Sequence, residues 1–348
     1  MASLHEDPLS LPSLAEKFAT DFPIGVAIEP KVLHEQDSTI AHHFRRLTAE
    51  NAMKWGALCP IEHQYQFEKA DAIAEFARRH SMKMTGHTFV WHQMAPPWLF
   101  KQGSSPASQQ YVAQQLRNHI FALTERYADV VDNWDVVNEA VSDTSQELWR
   151  DRAEHSEWFA TFEGESYVAL AFEYAAEAAE RFCPDIKLYY NDYRIEDADK
   201  RSKVIAVVRQ LRKAGVRIDG VGIQGHINVT WPDLAELGRA IDEFAAENLL
   251  VKISELDVSI YDGDDTARGK YQAEQTITPE LEERVAHRYA EVFELFRTKA
   301  ALLTSVTLWG LCDDQSWLNR WPIHRKNHPL LFDQVHQPKL ALRRLLGV

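Results

Sequence analysis

The amino-acid sequence predicts an α/β protein with the architecture of a single (β/α)8 TIM barrel. Three observations support this fold class. The chain has 348 residues, apolar runs alternate with amphipathic segments along it, and eight such runs can be identified. A (β/α)8 barrel takes about 250 residues plus insertions, so the length suits one barrel with its loops. We therefore expect one domain over residues 1–348.

The predicted strands are short apolar or β-branched runs. They are Phe22–Ala27, Arg46–Ala49, Met82–Phe89, Val130–Val137, Lys187–Asn191, Gly220–Gly225, Val251–Leu256 and Ser305–Trp309. Because the strands alternate with helices, parallel pairing through right-handed crossovers follows.

The predicted helices carry apolar residues at three- and four-residue steps. They are Lys69–His80, Ser108–Tyr127, Tyr167–Phe182, Asp199–Lys213, Pro232–Glu247 and Pro279–Lys299. Thr278 before Pro279, and Thr230 ahead of Pro232, are typical helix starts. An open doubly wound sheet is the competing fold. It usually carries a glycine-rich phosphate loop after an early strand, and no G-x-G-x-x-G or P-loop motif is identified. The polar segment Tyr261–Gln275 predicts a long loop after the seventh strand.

The composition narrows the class of partner. Hydrophobic residues make up 45% and charged residues 26%, which is ordinary for a protein with a large core. The net charge is −14, so a phosphate backbone is repelled and nucleic acid is not an expected partner. The 10 Trp and 11 Tyr suit a protein that stacks on flat apolar faces such as sugar rings.

The N-terminus and the cysteines bear on location and metal content. No basic start with an apolar signal run is present, and no stretch of ~20 apolar residues predicts a membrane span. We therefore expect a cytoplasmic protein without a membrane partner. Cys59, Cys183 and Cys312 are odd in number and scattered, which argues against a disulfide framework or a zinc site. No metal or cofactor is expected.

Polar residues gather at the ends of the predicted strands. In a (β/α)8 barrel the carboxyl ends of the strands supply the active site. The strand-end residues are Thr48–Asn51, Gly86–Thr88, Asn138–Glu139, Asn191–Tyr193, Gln224 with His226, Ser254–Glu255 and Trp309.

Two of these groups are glutamates. Glu139 follows the fourth strand and Glu255 lies in the seventh, two residues before Asp257 on the same face. Taken singly, each suits a helix cap, a salt bridge or an ion pair inside the barrel. Together they match glycoside hydrolysis, which needs a carboxylic acid and a second carboxylate. A separation of ~5–5.5 Å would indicate a retaining mechanism, and ~6.5–9.5 Å an inverting one.

The motifs around these residues resemble those of glycoside hydrolase family 10. They are WDVVNEAV around Glu139, ISELDV around Glu255, TAENAMKW (Thr48–Trp55), GHTFVWH (Gly86–His92), YYNDYR (Tyr189–Arg194), GVGIQGH (Gly220–His226), TLWG (Thr307–Gly310) and QSWL (Gln315–Leu318). The match runs in order from about Phe22 to Lys339 and is most similar to the cytoplasmic members. The resemblance implies a retaining endo-β-1,4-xylanase on one catalytic barrel, without a linker or carbohydrate-binding module.

The resemblance also implies roles for individual residues. Glu139 is the acid/base, Glu255 the nucleophile, and the supporting residues are His226, Asp257 and Asn138. The implied substrate-binding residues are Glu50, Asn51, Lys54, His87, Trp91, Tyr193, Gln224, Trp309 and Trp317. The implied partner is xylan or a xylo-oligosaccharide, and a homo-oligomer is compatible with the sequence.

Structural alternatives remain open for several of these residues. His226 is also compatible with a core histidine, Trp309 and Trp317 with core packing, and Glu50 with Lys54 as an ordinary helix pair. The sequence departs from the family pattern in three places. Met94 stands where glutamine is common, Arg194 stands where asparagine is common, and the segment Arg320–His328 is basic. That segment either closes the distal end of the cleft or is a solvated loop.

Other functions share some of these features. An exo-acting β-xylosidase or a β-1,4-glucanase would use the same two glutamates. A non-catalytic sugar-binding barrel is the alternative of another class, although such proteins usually lose one glutamate. A metal-dependent hydrolase is disfavoured because His87, His92 and His226 do not form a recognisable ligand set.

Overall fold

The computed structural model describes residues 7–144, 146–264 and 268–348. Within them, eight parallel strands pair in chain order, and the eighth closes onto the first. The strands are β1 (Ile24–Ile28), β2 (Arg46–Ala49), β3 (Lys83–Trp91), β4 (Val131–Asn138), β5 (Lys187–Asp192), β6 (Gly220–Ile223), β7 (Leu250–Ser259) and β8 (Leu303–Leu308). The predicted (β/α)8 barrel is confirmed.

One principal helix follows each strand. These are α1 (Pro30–His43), α2 (Glu68–Arg79), α3 (Gln109–Arg126), α4 (Ser166–Phe182), α5 (Ala198–Lys213), α6 (Leu234–Ala246), α7 (Pro279–Thr298) and α8 (Leu340–Leu346). The sequence analysis missed α1 and α8. Helix α1 is interrupted at Gln36, whose φ of −135° and ψ of 26° break the periodic pattern, and α8 has only 7 residues.

Smaller elements fill the connections. Short α-helices occupy Leu14–Lys17, Trp55–Leu58 and Glu157–Phe162, and short 3-10 turns occupy Pro8–Ser10, Pro97–Phe100, Ala300–Leu302, Asp313–Gln315 and Trp317–Asn319. Lys101–Gln102 pairs with Ser105–Pro106, and His226–Asn228 pairs with the end of β7. No helix in the described residues is both long and apolar enough to cross a membrane.

The helix starts test the capping predictions. The side chain of Thr278 accepts a hydrogen bond from the Leu281 amide at 3.3 Å, which confirms it as the cap of α7. The prediction for Thr230 is wrong. The cap of α6 is Asp233, whose carboxylate accepts from the Ala235 amide at 2.7 Å. Thr230 instead donates to Asn228 in the preceding turn, so the helix begins later than its proline suggested.

An ion pair crosses the interior of the barrel. The Lys252 ammonium on β7 lies 2.8 Å from the Asp135 carboxylate on β4, and both side chains are buried. Asp135 also lies 3.0 Å from Nδ1 of His87 on β3. A buried charge needs such partners to offset the loss of hydration. The pair therefore ties three strands together directly beneath the strand ends.

Glycines on β6 leave room for a polar residue of β5. The statement that no G-x-G-x-x-G motif is present is wrong, because Gly220, Gly222 and Gly225 form one. The motif lies in the sixth strand and its turn, and the long helix does not begin until Leu234. A Cβ placed on Gly222 would lie 2.2 Å from Oδ1 of Asn191. The absence of a side chain at these glycines thus allows neighbouring strands to approach closely, and the run is not placed as a phosphate-binding loop.

Arg325 connects the loop Tyr261–Gln275 to the segment Arg320–His328. The described parts of Tyr261–Gln275 contain no α-helix or strand, as predicted, and residues 265–267 lie outside the described part. Arg325 is only 6% exposed. Its guanidinium donates to Asp264 and to the Gln272 carbonyl and stacks 3.4 Å from the Tyr261 ring centroid. The interpretation of a solvated loop is therefore wrong for Arg325, which joins the two loops, and closure of the distal end of the cleft stays a prediction.

Candidate active site

Glu139 and Glu255 are both buried at the carboxyl ends of the strands. Glu139 directly follows β4 and is 7% exposed, and Glu255 lies within β7 and is 4% exposed. Glu139 has a φ of 57°, which non-glycine residues rarely adopt. Its amide donates to the Asn191 carbonyl at 2.9 Å, and its own carbonyl accepts from Arg150 at 3.0 Å. The backbone is thus held on both sides in a conformation that local sequence does not reveal.

The Glu139 carboxylate is surrounded by neutral donors. Trp91 donates its indole N–H to Oε2 at 2.8 Å, and Oε1 accepts from Gln224 at 2.9 Å and from Asn138 at 3.1 Å. These donors orient the carboxyl group without adding a positive charge in direct contact. The Glu139 carboxyl group is thus held in place through both of its oxygens.

The Glu255 carboxylate contacts a charged donor instead. Oε1 accepts from Asn191 at 2.7 Å, and Oε2 lies 3.1 Å from Nε2 of His226. Burial alone raises the pKa of Glu255. The hydrogen bond from His226 and the charges of His87, His226 and Lys54 outweigh it, so the net pKa is lowered. Glu255 is therefore kept ionised with both oxygens held in place.

His226 lies between two carboxylates. Its Nδ1 is 3.0 Å from Asp257, and its Nε2 faces Glu255. Burial lowers the pKa of His226, but the charge of Asp257 and the hydrogen bonds to both carboxylates raise it to about 10. The ring is thus a cation that donates from both nitrogens. Trp317 donates its indole N–H to the same Asp257 oxygen at 2.8 Å, which fixes this arrangement further.

Three amide side chains connect the two glutamates. Asn191 Nδ2 donates both to Glu255 and, at 2.8 Å, to Oδ1 of Asn138. Gln224 lies 3.3 Å from the same Asn138 oxygen. Sequence analysis noted Asn191 as a strand-end residue but assigned it no role. Its position at the end of β5 was the available signal.

A second cluster follows β2. The Lys54 ammonium donates to Oδ1 of Asn51 at 3.0 Å and lies 4.5 Å from the Trp91 ring centroid and 5.9 Å from that of Trp309. Residues 50–54 form a turn, and the short helix begins only at Trp55. The alternative of a helix pair between Glu50 and Lys54 is therefore wrong.

The pKa values of the two ionisable side chains in this cluster, Glu50 and Lys54, are shifted. Burial, and then the charge of Glu29, raise the pKa of Glu50 to about 7, while Lys54 and Asn51 act in the opposite direction. Burial also lowers the pKa of Lys54, although Glu255, Glu50 and Glu139 partly restore it. Buried groups with perturbed pKa values in a cleft are candidates for binding or catalysis.

Two tryptophans and two histidines form an aromatic wall. The Trp309 ring is 5.2 Å from the His87 ring and 6.2 Å from the His226 ring, in edge-to-face contacts. The Trp317 ring lies 4.8 Å from His226. Both tryptophans therefore pack on groups at the strand ends, so they border the cluster around Glu255 rather than the interhelix core.

On the other side of Glu139, Tyr193 belongs to a polar network. Its hydroxyl donates to Asp143 and accepts from Arg150 at 3.0 Å, and the Lys200 ammonium lies 3.6 Å from its ring centroid. Arg150 also donates to the Glu139 carbonyl. Sequence analysis missed Asp143, Arg150 and Lys200. The first two lie in the irregular segment after β4, which has no periodic pattern.

Two residues that depart from the family pattern, Met94 and Arg194, make the following contacts. The Met94 carbonyl accepts from the Gly56 amide at 2.8 Å, so this residue joins the segment after β3 to the segment after β2. Arg194 is half exposed, donates to Asp197 and lies 5.7 Å from the Trp231 ring centroid.

One group of possible metal ligands lies apart from these glutamates. Among the described residues, ligand atoms of Cys312, Asp314 and His336 lie within 4.8 Å of one another. Burial strongly raises the pKa of the Cys312 thiol, which disfavours the thiolate that a metal ion needs. All three cysteines are free thiols.

A (β/α)8 barrel with two buried glutamates at its strand ends is the arrangement expected of a glycoside hydrolase. Residues 13–347 match the profile of glycosyl hydrolase family 10, and the chain belongs to this family. Endo-1,4-beta-xylanase A of Caldicellulosiruptor saccharolyticus is 41% identical over 338 residues, covering 96% of this chain and 95% of that protein. Endo-1,4-beta-xylanase B of Paenibacillus barcinonensis is 37% identical, covering 97% and 98%. The crystal structure of xylanase XynB from Paenibacillus barcinonensis, complexed with a conduramine derivative, superposes with a TM-score of 0.89 at 37% identity, covering 97% and 98%.

Proposed function

We propose that this protein is a retaining endo-1,4-β-xylanase that cleaves internal bonds of xylan and xylo-oligosaccharides. The observation that carries the proposal is the contrast between two carboxylates. Glu139 is held by neutral donors, whereas Glu255 is held ionised by the His226 cation. Two carboxyl groups in different environments are what an acid and a nucleophile require.

In the proposed reaction, Glu255 attacks the anomeric carbon while Glu139 protonates the departing glycosidic oxygen. This step forms a glycosyl ester on Glu255 and releases the leaving sugar. Glu139, now ionised, takes a proton from water while the water oxygen attacks the anomeric carbon. The bond from that carbon to Glu255 breaks, which restores the Glu255 carboxylate and the protonated Glu139. Asn138 is proposed to bond the 2-hydroxyl of the sugar at the cleavage point, with Gln224 beside it.

The remaining site residues are proposed to bind sugars on either side. Glu50, Asn51, Lys54, His87 and Trp91 would contact the glycone, the non-reducing side. Trp309 and Trp317 would cover the sugar at the cleavage point, and Tyr193 would lie toward the leaving group. Lys54 and Trp309, with the ammonium 5.9 Å from the ring centroid, are proposed to limit the space for the extra hydroxymethyl group of a hexose, which favours a pentose.

The alternatives have less support. The relatives named above are endo-xylanases, which disfavours an exo-acting β-xylosidase or a β-1,4-glucanase. The presence of both glutamates, each with side-chain donors, disfavours a non-catalytic sugar-binding barrel. We also propose that residues 1–348 act as one catalytic unit. The cytoplasmic location stays a prediction that fractionation of the source cells would test.

Digestion of xylotetraose and cellotetraose tests the substrate and the mode of cleavage. We expect xylotetraose to give xylobiose among its first products, and cellotetraose to react far more slowly. Release of xylose alone from one chain end would favour the exo-acting alternative. A double variant with Glu139→Ala and Glu255→Ala controls for contaminating activity. No hydrolysis of xylotetraose by the unmodified protein would overturn the proposal.

A further inference from the structure

The Glu29 side chain binds Asn51, which is one of the residues proposed to contact the glycone. Glu29 itself lies outside the turn of residues 50–54 that carries Asn51. Glu29 lies between the end of β1 and Pro30, the first residue of α1. Its Oε1 accepts two hydrogen bonds from Asn51, one from the backbone amide and one from Nδ2, each of 2.9 Å. Although Glu29 is the residue before α1, its side chain makes no capping hydrogen bond to that helix. The carboxylate is therefore used for Asn51 rather than for the helix.

This double contact sets the direction of the Asn51 amide. An asparagine side chain has a donor end and an acceptor end. Because Nδ2 is held by the Glu29 carboxylate, Oδ1 faces the Lys54 ammonium at 3.0 Å. If the amide turned over, its oxygen would face the carboxylate and its N–H group would face the ammonium, and both contacts would be repulsive.

The contacts continue from Lys54 to the acid/base candidate. The ammonium lies over the Trp91 ring, and the Trp91 indole N–H donates to Glu139. A connected series of side chains thus extends from the end of β1 to Glu139. Its first member, Glu29, was not among the candidate residues identified from the sequence.

We infer that Glu29 is a positioning residue for substrate binding: it orients the Asn51 amide, and through it the Lys54 ammonium, toward the second sugar on the glycone side. The inference rests on the proposed xylanase function, because that function places a sugar against Asn51 and Lys54. Glu29 acts through Asn51 and need not contact the substrate.

The charge of Glu29 has a second effect in the same cluster. Glu50 faces Glu29 at the end of β1, Lys54 in its own turn and Glu255 from β7. After burial, the repulsion from Glu29 contributes most to the raised pKa of Glu50, and Lys54 opposes it. Removing the charge of Glu29 should therefore lower the pKa of Glu50 and shift the titration of the cluster to lower pH.

The test compares two substrates that differ by one glycone sugar. 2,4-Dinitrophenyl β-xyloside fills only the position next to the cleaved bond, whereas the β-xylobioside also fills the next position. For Glu29→Ala we expect kcat/KM on the xylobioside to fall by about tenfold or more, mainly through KM, because a charge-assisted hydrogen bond is lost. Activity on the xyloside should fall by a clearly smaller factor, and the activity that remains on it shows that the variant is folded.

Glu29→Gln separates orientation from charge. The amide oxygen of the glutamine still accepts from Asn51, so we expect kcat/KM on the xylobioside to be close to that of the unmodified protein. The midpoint of the pH dependence of KM should shift to lower pH. Glu35→Ala is the matched control, because Glu35 is an exposed glutamate of α1 that pairs with Lys31 instead. It should leave both substrates unaffected.

The outcomes distinguish the inference from the proposed function. If the unmodified protein hydrolyses neither substrate, the proposed function fails. If it hydrolyses both, and Glu29→Ala lowers them equally or not at all, the inference fails. If Glu29→Ala does not fold, the Glu29→Gln variant supplies the test. A pH dependence of its KM on the xylobioside that is identical to that of the unmodified protein would overturn the effect assigned to the charge of Glu29.

Discussion

Glu139 and Glu255 are connected by two asparagine side chains, with Asn138 bound to Glu139 and Asn191 bound to both Asn138 and Glu255. The connection carries no net charge, so each carboxylate takes its electrostatic character from its other partners. For Glu255 that partner is the His226 cation, and for Glu139 it is the indole of Trp91. This difference is the basis of the roles proposed for them.

Glu255→Ala should abolish turnover, because no carboxylate remains to attack the anomeric carbon. Azide or formate should partly restore activity on a 2,4-dinitrophenyl β-xyloside, since a small anion can occupy the vacated space. Release of dinitrophenol with and without azide measures this. Glu177→Ala, an exposed position on α4 that pairs with Arg117, is the control. Absence of rescue by either anion would count against the nucleophile assignment.

Glu139→Ala should affect substrates according to their leaving group. A natural sugar needs a proton from the acid, so its kcat should fall on the order of a hundredfold or more. Dinitrophenolate departs without a proton, so the glycosylation step on the aryl substrate should fall far less. Pre-steady-state release of dinitrophenol, compared with hydrolysis of xylotetraose, measures both. Equal losses on the two substrates would contradict the acid role.

His226→Asn should move the acidic limb of the pH profile. His226 helps to lower the pKa of Glu255, and its own pKa of about 10 keeps it charged through neutral pH. Asparagine retains an N–H donor but removes the charge, so the pKa of Glu255 should rise. Glu255 then becomes ionised only at higher pH. The acidic limb of kcat/KM on an aryl xylobioside should therefore shift upward, and an unmoved limb would show that His226 does not control this ionisation.

Glu50→Gln should stabilise the protein in a pH-dependent way. Burial and Glu29 raise the pKa of Glu50 from 4.5 to about 7. Between these values the folded state binds more protons than the unfolded state, so stability falls as pH rises through this window. Glutamine removes the titration. The gain in Tm should therefore be small at pH 4 and full above pH 7, as thermal unfolding across this range would measure. A gain that does not grow with pH would refute this explanation.

The sequence predicted the barrel because its strands are buried and apolar over their length. Polar residues that interrupt such runs, including Glu139 and Glu255, were visible for the same reason. Other features depend on contacts between distant segments. The pairing of Glu29 with Asn51, the burial of Arg325 against Asp264 and the φ of Glu139 follow from the assembled fold. They leave no local pattern, so sequence analysis either missed them or misinterpreted them.

The account depends most on Glu255 forming a covalent bond to the sugar. Treatment with 2,4-dinitrophenyl 2-deoxy-2-fluoro-β-xylobioside tests this directly, because the fluorine slows both steps while the good leaving group lets the first proceed. We predict a stoichiometric release of dinitrophenol, a covalent adduct in the intact-protein mass spectrum, and a peptide labelled on Glu255. A label on any other residue, or no adduct while the same preparation hydrolyses xylotetraose, would contradict the proposed mechanism.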